Sequence, residues 1–340
     1  MNDGLSIRLA WDGRHVSHVA IELQRPPAAR LLHGMPAAQA VATLPRLYRL
    51  CAKAQGIAAR LALAAATGEA AVLSAGERCA LLAEQVQEHL WRLLRDWPAL
   101  LGLAERQAEF VAWYRRLAAL PAEPGERQRL AAELAQFIGE DIGVGLGPLL
   151  LAHVLPLAAG QPGLVDRRLP ADVRAADFAQ PWPDDFAARP QWQGQPAATG
   201  CAGGDLPQSL WQRLSALIAA AEQLGAALCR DEENPAPALA DAASLPDNGG
   251  LARVATARGM LLHRLRLDGQ GSHGPAACIA EYQVLAPTEW NFHPQGPCAA
   301  ALAGLEANSE ATLRRLAGCW ITAFDPCVGW QLDVTNEPGR

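Results

Sequence analysis

Positions 5–24 alternate apolar and polar residues about an Asp12-Gly13 pair, which predicts a β hairpin closed by a tight turn. From Pro45 to about Ala66 the apolar spacing becomes helical, with Cys51 in the first two turns. Ser74-Ala75-Gly76-Glu77 is a capping-box sequence, a serine followed three residues later by a glutamate. It opens a long amphipathic helix through Cys79, Leu82, Val86, His89 and Leu93 that is predicted to stop near Trp97-Pro98. Two further helices are expected at about 103–120 and 125–139. Residues 160–207 are rich in Pro, Gly, Ala and Gln, with Trp182 and Trp192 as isolated anchors, and read as a long loop or insertion. A helix over about 209–229 and a polar linker over 231–250 follow.

The last ninety residues change character. Residues 251–267 and 278–286 read as strands flanking a polar turn at 268–272, and about 299–316 as a helix leading into Ile321–Cys327. The expected architecture is α+β and predominantly helical, one domain over 1–340 with small β hairpins near both termini.

Composition narrows the function. Half of the 340 residues are hydrophobic, enough for a large core. The net charge of −6 comes without a basic stripe, which argues against a phosphate-neutralising nucleic-acid surface. Lys53 is the only lysine. An uncharged stretch runs from Ile142 to Val165, but Pro148, Pro156, Pro162 and His153 interrupt it, so a broken, buried core helix is expected and not a membrane span. The N-terminal residues carry no signal-peptide pattern, so a cytoplasmic protein with reduced thiols is expected.

No two of the eight cysteines form a Cys-x-x-Cys pair. Two of them, however, sit in half-motifs near opposite ends of the chain. Arg46-Leu47-Tyr48-Arg49-Leu50-Cys51 and Asp325-Pro326-Cys327-Val328-Gly329-Trp330 each look like a thiolate pair in which an aromatic replaces one member. Four thiolates hold a soft metal tightly, whereas two hold a metal group weakly or in passing.

The order of these segments resembles the large subunit of nickel–iron hydrogenases. Arg46 to Gln55 follows that family's Arg-x-Cys-x-x-Cys-x-x-x-His motif, with Tyr48 at the first cysteine and Gln55 at the histidine. Asp325-Pro326-Cys327 follows its Asp-Pro-Cys-x-x-Cys, with Trp330 at the last cysteine. Between them, Ala257-Arg258-Gly259, continued by Leu262-His263, resembles its Pro-Arg-Gly segment. Pro287-Thr288-Glu289-Trp290-Asn291 resembles its Pro-Ser/Thr-x-Trp-Asn. Leu31–Pro36 also fits the family's approach to the first motif.

The family's four cysteines hold nickel and an iron carrying carbonyl and cyanide. Half of those cysteines are absent here, as is the histidine after the second motif at which large subunits are cleaved. That pattern resembles the HupK/HoxV-like hydrogenase accessory proteins. The resemblance implies a non-catalytic maturation scaffold for the iron–carbonyl–cyanide group, with no nickel. Cys51 and Cys327 would be its metal ligands, and Arg258 and Thr288 would face the cyanides. The implied partners are the small chaperone that ferries the iron group and other maturation factors or the immature large subunit. The rival expectation is a metal-free chaperone or large-subunit mimic. A metalloenzyme with altered chemistry would need a further ligand set that the sequence does not offer.

Simpler readings stand beside these. The other six cysteines read as buried structural thiols. Arg258 could equally be a solvated strand arginine, and Thr288 a turn hydroxyl. His89, His153 and His263 read as core or capping residues, and His293 as no ligand. Tyr48 and Trp330 either plug the vacated metal space or face a partner.

Overall fold

In a computed structural model, which describes residues 4–24, 28–161, 169, 172–183, 205–229, 239–268 and 277–336, the predicted hairpin is present as β1 (Gly4–Trp11) and β2 (Val16–Gln24). Leu5, Ile7 and Leu9 alternate inward as the two-residue period requires. The hairpin gains a third strand, β7 (Trp330–Asn336), which pairs with β1 in parallel and gives the order β2-β1-β7. Trp330, Leu332 and Val334 alternate with Gln331, Asp333 and Thr335, a two-residue period that does signal a strand and that the expected elements above left out. The two ends of the chain are thereby laced together.

The helix predicted from Pro45 is broken. The first helix, α1 (Ala37–Leu47), carries Pro45 inside it and ends at Tyr48, whose φ of −119° and ψ of 72° are non-helical. A short 3-10 turn, Arg49–Cys51, leads into α2 (Ala52–Thr67). Ser74 and Glu77 cap α3 (Ala75–Trp91) as a full capping box. Helical structure then continues, through a π-helical turn at Arg92–Asp96, into α4 (Trp97–Leu101). Pro98 does not end the helix there because it lies in the first turn of α4.

Next come α5 (Gln107–Ala118) and α6 (Pro124–Gln136), close to their predicted bounds. The uncharged stretch departs from expectation. A π-helical segment, Phe137–Leu146, joins α6 to α7 (Gly147–Ala158), so helical structure runs unbroken over 124–158. By length and composition alone it could cross a membrane. Ile142, Leu146, Leu150 and Val154, four residues apart, bury one stripe in the protein core, while Val144, Leu149 and Leu155 on the other side are exposed.

Within the expected loop 160–207, residues 172–183 are ordered around a 3-10 turn, Ala175–Phe178. Trp182 is an anchor as expected: it is buried, and its indole N–H donates to the Phe178 carbonyl at 2.9 Å. Trp192, Cys201, most of the 231–250 linker's first half and the turn over 269–272 lie outside the described residues. The long helix α8 (Leu206–Cys229) packs against α3, α6 and α7.

The expected C-terminal pair of strands is a four-stranded antiparallel meander, β3 (Ala240–Leu245), β4 (Gly249–Thr256), β5 (Gly259–Leu267) and β6 (Ile279–Leu285). Residues 240–250, expected as linker, are β3 and the start of β4. Alanine-rich β3 has little strand propensity, and pairing along β4 overrides it. Residues 251–267 are two strands because the chain reverses at Ala257-Arg258. Gly259, at φ +129°, takes a backbone conformation that a side chain would strain.

One face of this sheet carries α2. Gly250 lies so close to that helix that a Cβ there would stand 1.9 Å from the Ala62 carbonyl oxygen. The other face is covered by Val173, Phe178 and Trp182 against Leu251, Met260, Leu262 and Leu285. Three helices complete the chain: α9 (Pro287–Asn291), α10 (Pro297–Leu302) and α11 (Glu310–Phe324). The single helix expected over 299–316 is two because 303–309 form a turn with Gly304 at φ +77°.

Candidate metal-group site

Cys51 is the N-cap of α2, half-buried, at the positive end of that helix. Glu84, from α3, accepts the main-chain N–H groups of Lys53 and Ala54 at 2.8 and 3.0 Å. It thereby closes the first turn of a helix that has no side-chain cap of its own. Burial pushes the Glu84 carboxyl up to about 7, against those two N–H donors. The Lys53 side chain is exposed.

Cys327 follows the end of α11. The helix stops at Asp325, whose φ of +55° is left-handed, and Pro326 then directs the chain away. The Cys327 main-chain N–H donates to the Thr288 hydroxyl at 3.0 Å, and that hydroxyl donates to the Cys327 sulfur at 3.0 Å. Thr288 is fully buried on α9.

The two half-motifs meet. Burial pushes the Cys51 thiol up to about 12, and negative charge on Cys327 adds to that, while Arg258 opposes it. Arg258, at the tip of the β4–β5 turn, is buried, not solvated as a strand-edge arginine would be. Burial works against its charge, but Asp325 and Glu88 hold it firmly protonated. Its guanidinium forms an ion pair with Glu88 of α3. Its Nε, however, is buried without a hydrogen-bond acceptor among the described residues; Asp325 Oδ1, at 3.2 Å, stands out of line. Asn291 fixes this arrangement by donating to the carbonyls of Arg258 and Phe324, each at 3.2 Å.

Asp325 anchors the cationic side. Its carboxylate bonds Arg92 Nε through Oδ1 and Arg213 Nη1, at 3.1 Å, through Oδ2. Burial opposes its charge, but Arg258, Arg213 and Arg92 together hold the carboxyl well below the usual range. Arg92 also bonds the Pro326 carbonyl at 2.9 Å. The π-helical turn that begins at Arg92 thus sits where α3 meets the second half-motif.

Gln55 occupies the position of the family's histidine. It is fully buried, and its amide Nε2 lies 3.5 Å from Cys51 Sγ. Its Oε1 lies 2.8 Å from His263 Nε2, and His263 Nδ1 lies 2.8 Å from the Tyr282 hydroxyl. His263 is a core residue as expected, and also part of this chain of contacts.

The structure places Cys51, Cys327, Arg258 and Thr288 together. Tyr48 is buried in the main core and close to Tyr282. Trp330 is half-buried, its ring lying over Gly318 of α11. His293 is buried and its Nδ1 accepts from the Gln295 main chain at 3.0 Å. Among the described residues no group of three or more His, Cys, Asp or Glu side chains is arranged to hold a metal ion.

Sequence reasoning did not pick out Glu84, Glu88, Arg92 or Arg213. The first three recur every four residues on one face of the helix, a charged stripe that periodicity could have flagged. Arg213 has no such signal.

No family model matches the chain. It is 32% identical to the hydrogenase expression/formation protein HoxV of Cupriavidus necator, over 98% of this chain and 97% of that protein. It is 36% identical to HupV of Azotobacter chroococcum, over 94% of each. Among solved structures, an NAD+-reducing nickel–iron hydrogenase aligns over 94% of both chains with a TM-score of 0.61 and 17% identity. The nickel–iron–selenium hydrogenase of Desulfomicrobium baculatum aligns over 94% of this chain and 95% of its own, with a TM-score of 0.63 and 14% identity. The fold is that of the nickel–iron hydrogenase large subunit, and the chain belongs to the HupK/HoxV family of hydrogenase expression/formation proteins.

Proposed function

We propose that this protein is a non-catalytic scaffold of hydrogenase maturation, with the iron–carbonyl–cyanide group as its transient cargo. The observation that carries the reading is the convergence of Cys51 and Cys327, from opposite ends of the chain, on the buried Arg258. Two thiolates are the soft donors such an iron needs. Among the described residues the Arg258 Nε–H has no aligned hydrogen-bond acceptor, and it suits an anionic cyanide nitrogen. Thr288, bonded to the Cys327 sulfur, borders the same space.

The chemistry of the empty site favours transfer. Cys51 holds its proton until metal arrives, because its thiol is pushed up to about 12. Loading would exchange the Cys51 thiol proton for an iron–sulfur bond, and unloading would return it, so affinity depends on pH. Two protein ligands leave the cargo's remaining positions for a donor or a receiver. The small maturation chaperone is the proposed giver and the immature large subunit the proposed receiver.

Infrared spectroscopy tests this reading on protein produced with the full maturation machinery. Carbonyl and cyanide bands are expected, and Cys51→Ala or Cys327→Ala should abolish both them and hydrogenase maturation. A metal-free chaperone or mimic would show no bands and tolerate both changes. That second reading draws on the same protonated thiol, since a neutral, internally bonded site is stable without cargo.

A further inference from the structure

The side chains that reach Cys51 form a directional line across three elements. Gln55 lies on α2, His263 on β5 and Tyr282 on β6, all buried. The contacts run from Cys51 Sγ to Gln55 Nε2 at 3.5 Å, from Gln55 Oε1 to His263 Nε2 at 2.8 Å, and from His263 Nδ1 to the Tyr282 hydroxyl at 2.8 Å. The rings of His263 and Tyr282 meet edge to face at 83°.

Chemistry fixes the direction of each bond. A carbonyl oxygen only accepts, so the His263 nitrogen facing Gln55 carries the proton. Burial keeps His263 neutral, its basicity lowered to about 3, so its other nitrogen is bare and accepts from Tyr282. Tyr282 therefore donates to His263, His263 to Gln55 and Gln55 to the sulfur. Without the histidine, nothing would tell the Gln55 amide which end to present. Turned over, it would set a carbonyl oxygen against a thiolate.

The geometry points to His263 as a positioning residue for Cys51: through Gln55 it presents an N–H donor to the sulfur and so prepares that sulfur to ligate one metal. Cys327 has the matching device in the Thr288 hydroxyl. This inference rests on Cys51 being a ligand, as in the proposed function.

Cadmium ion is the probe, because bound thiolate gives it an ultraviolet charge-transfer band and it needs no maturation machinery. The full chain is expected to bind Cd2+ through Cys51. His263→Phe should weaken that binding about tenfold or more, the usual cost of removing a residue that orients a metal ligand. His263→Gln, which restores a donor toward Gln55, should return affinity to near the native level. In a Cys51→Ala background His263→Phe should change nothing further, since the coupling runs through the sulfur. Should His263→Phe not fold, Gln55→Leu removes the same donor at similar size without adding a sulfur ligand and is expected to weaken binding alike.

Cd2+ binding that ignores Cys51, unchanged affinity in both variants, an equal loss in the Cys51→Ala background, or failure of glutamine to rescue would each overturn the assignment. The two readings fail separately. Intact coupling to Cd2+ without carbonyl and cyanide bands rejects the cargo and keeps the positioning role. The bands without coupling do the reverse.

Discussion

Thr288 and Cys327 hold each other twice: the threonine hydroxyl accepts from the cysteine N–H at 3.0 Å and donates to its sulfur at 3.0 Å. The backbone just past α11 is thereby tied to the start of α9, and the sulfur is aimed by the same atom that tethers its main chain.

Thr288→Val removes both bonds while keeping the shape. It leaves a buried N–H without its partner, so a loss of about 1–3 kcal/mol is expected in chemical denaturation. Thr288→Ser should keep most of that stability. A loss equal in Ser and Val would show that the methyl group, not the hydroxyl, matters.

Asp325 is the only carboxylate that touches Arg92, Arg213 and Arg258 together among the described residues. Asp325→Asn strands buried positive charge, and a loss of about 3–5 kcal/mol at neutral pH is expected. The sign in acid follows from its folded pKa lying below the unfolded one. Its contribution is complete above the unfolded value of about 3.9 and lost as pH falls below it. Acid titration of stability should therefore be steeper in the native protein than in Asp325→Asn below about pH 4.

His263 titrates in the same direction, in a higher pH window. Its folded pKa, lowered to about 3 by burial, lies below the unfolded value of about 6.5. The unfolded chain binds the extra proton, so stability falls as pH drops from about 6.5 toward 3. The slope is up to about 1.4 kcal/mol per pH unit for this one group. His263→Gln should flatten the stability profile in that window. Equal slopes for the two proteins would mean that His263 is already charged in the fold.

Gly250→Ala tests the seat of α2. The added Cβ would sit 1.9 Å from the Ala62 carbonyl oxygen, so helix and sheet must part. Overpacking of this kind costs about 1–3 kcal/mol or more. A lowered Tm is expected, together with weaker Cd2+ binding, because α2 carries both Cys51 and Gln55. Gly76→Ala on exposed α3 backbone, where a Cβ meets nothing within 4 Å, is the control.

Much of this site was legible in the chain. The hairpin about Asp12-Gly13 and the capping box at Ser74 were readable because each is a local device with its own residues. The motif frames around Cys51, Arg258, Thr288 and Cys327 were readable because each is a short run of adjacent residues that resembles the family's motifs. Strand β3 escaped notice because alanine takes its conformation from a partner. The unbroken 124–158 helix was missed because Pro124 and Pro148 fall in the first turns of α6 and α7, and Pro156 lies in the last turn of α7.

By itself the sequence determined the inventory: two half-motif cysteines of four, one arginine beside a glycine, a threonine hydroxyl, and most of the helices and strands that carry them. Only the tertiary structure decided that these groups meet, that Arg258 is buried with an N–H to spare, and that Gln55, His263 and Tyr282 line up behind Cys51. The reason is physical. Periodicity and capping are set by residues a few positions apart. Ion pairs such as Arg92 with Asp325, and hydrogen bonds such as Gln55 with His263, join residues distant along the chain and exist only once β7 has paired with β1 and α2 has settled on its sheet.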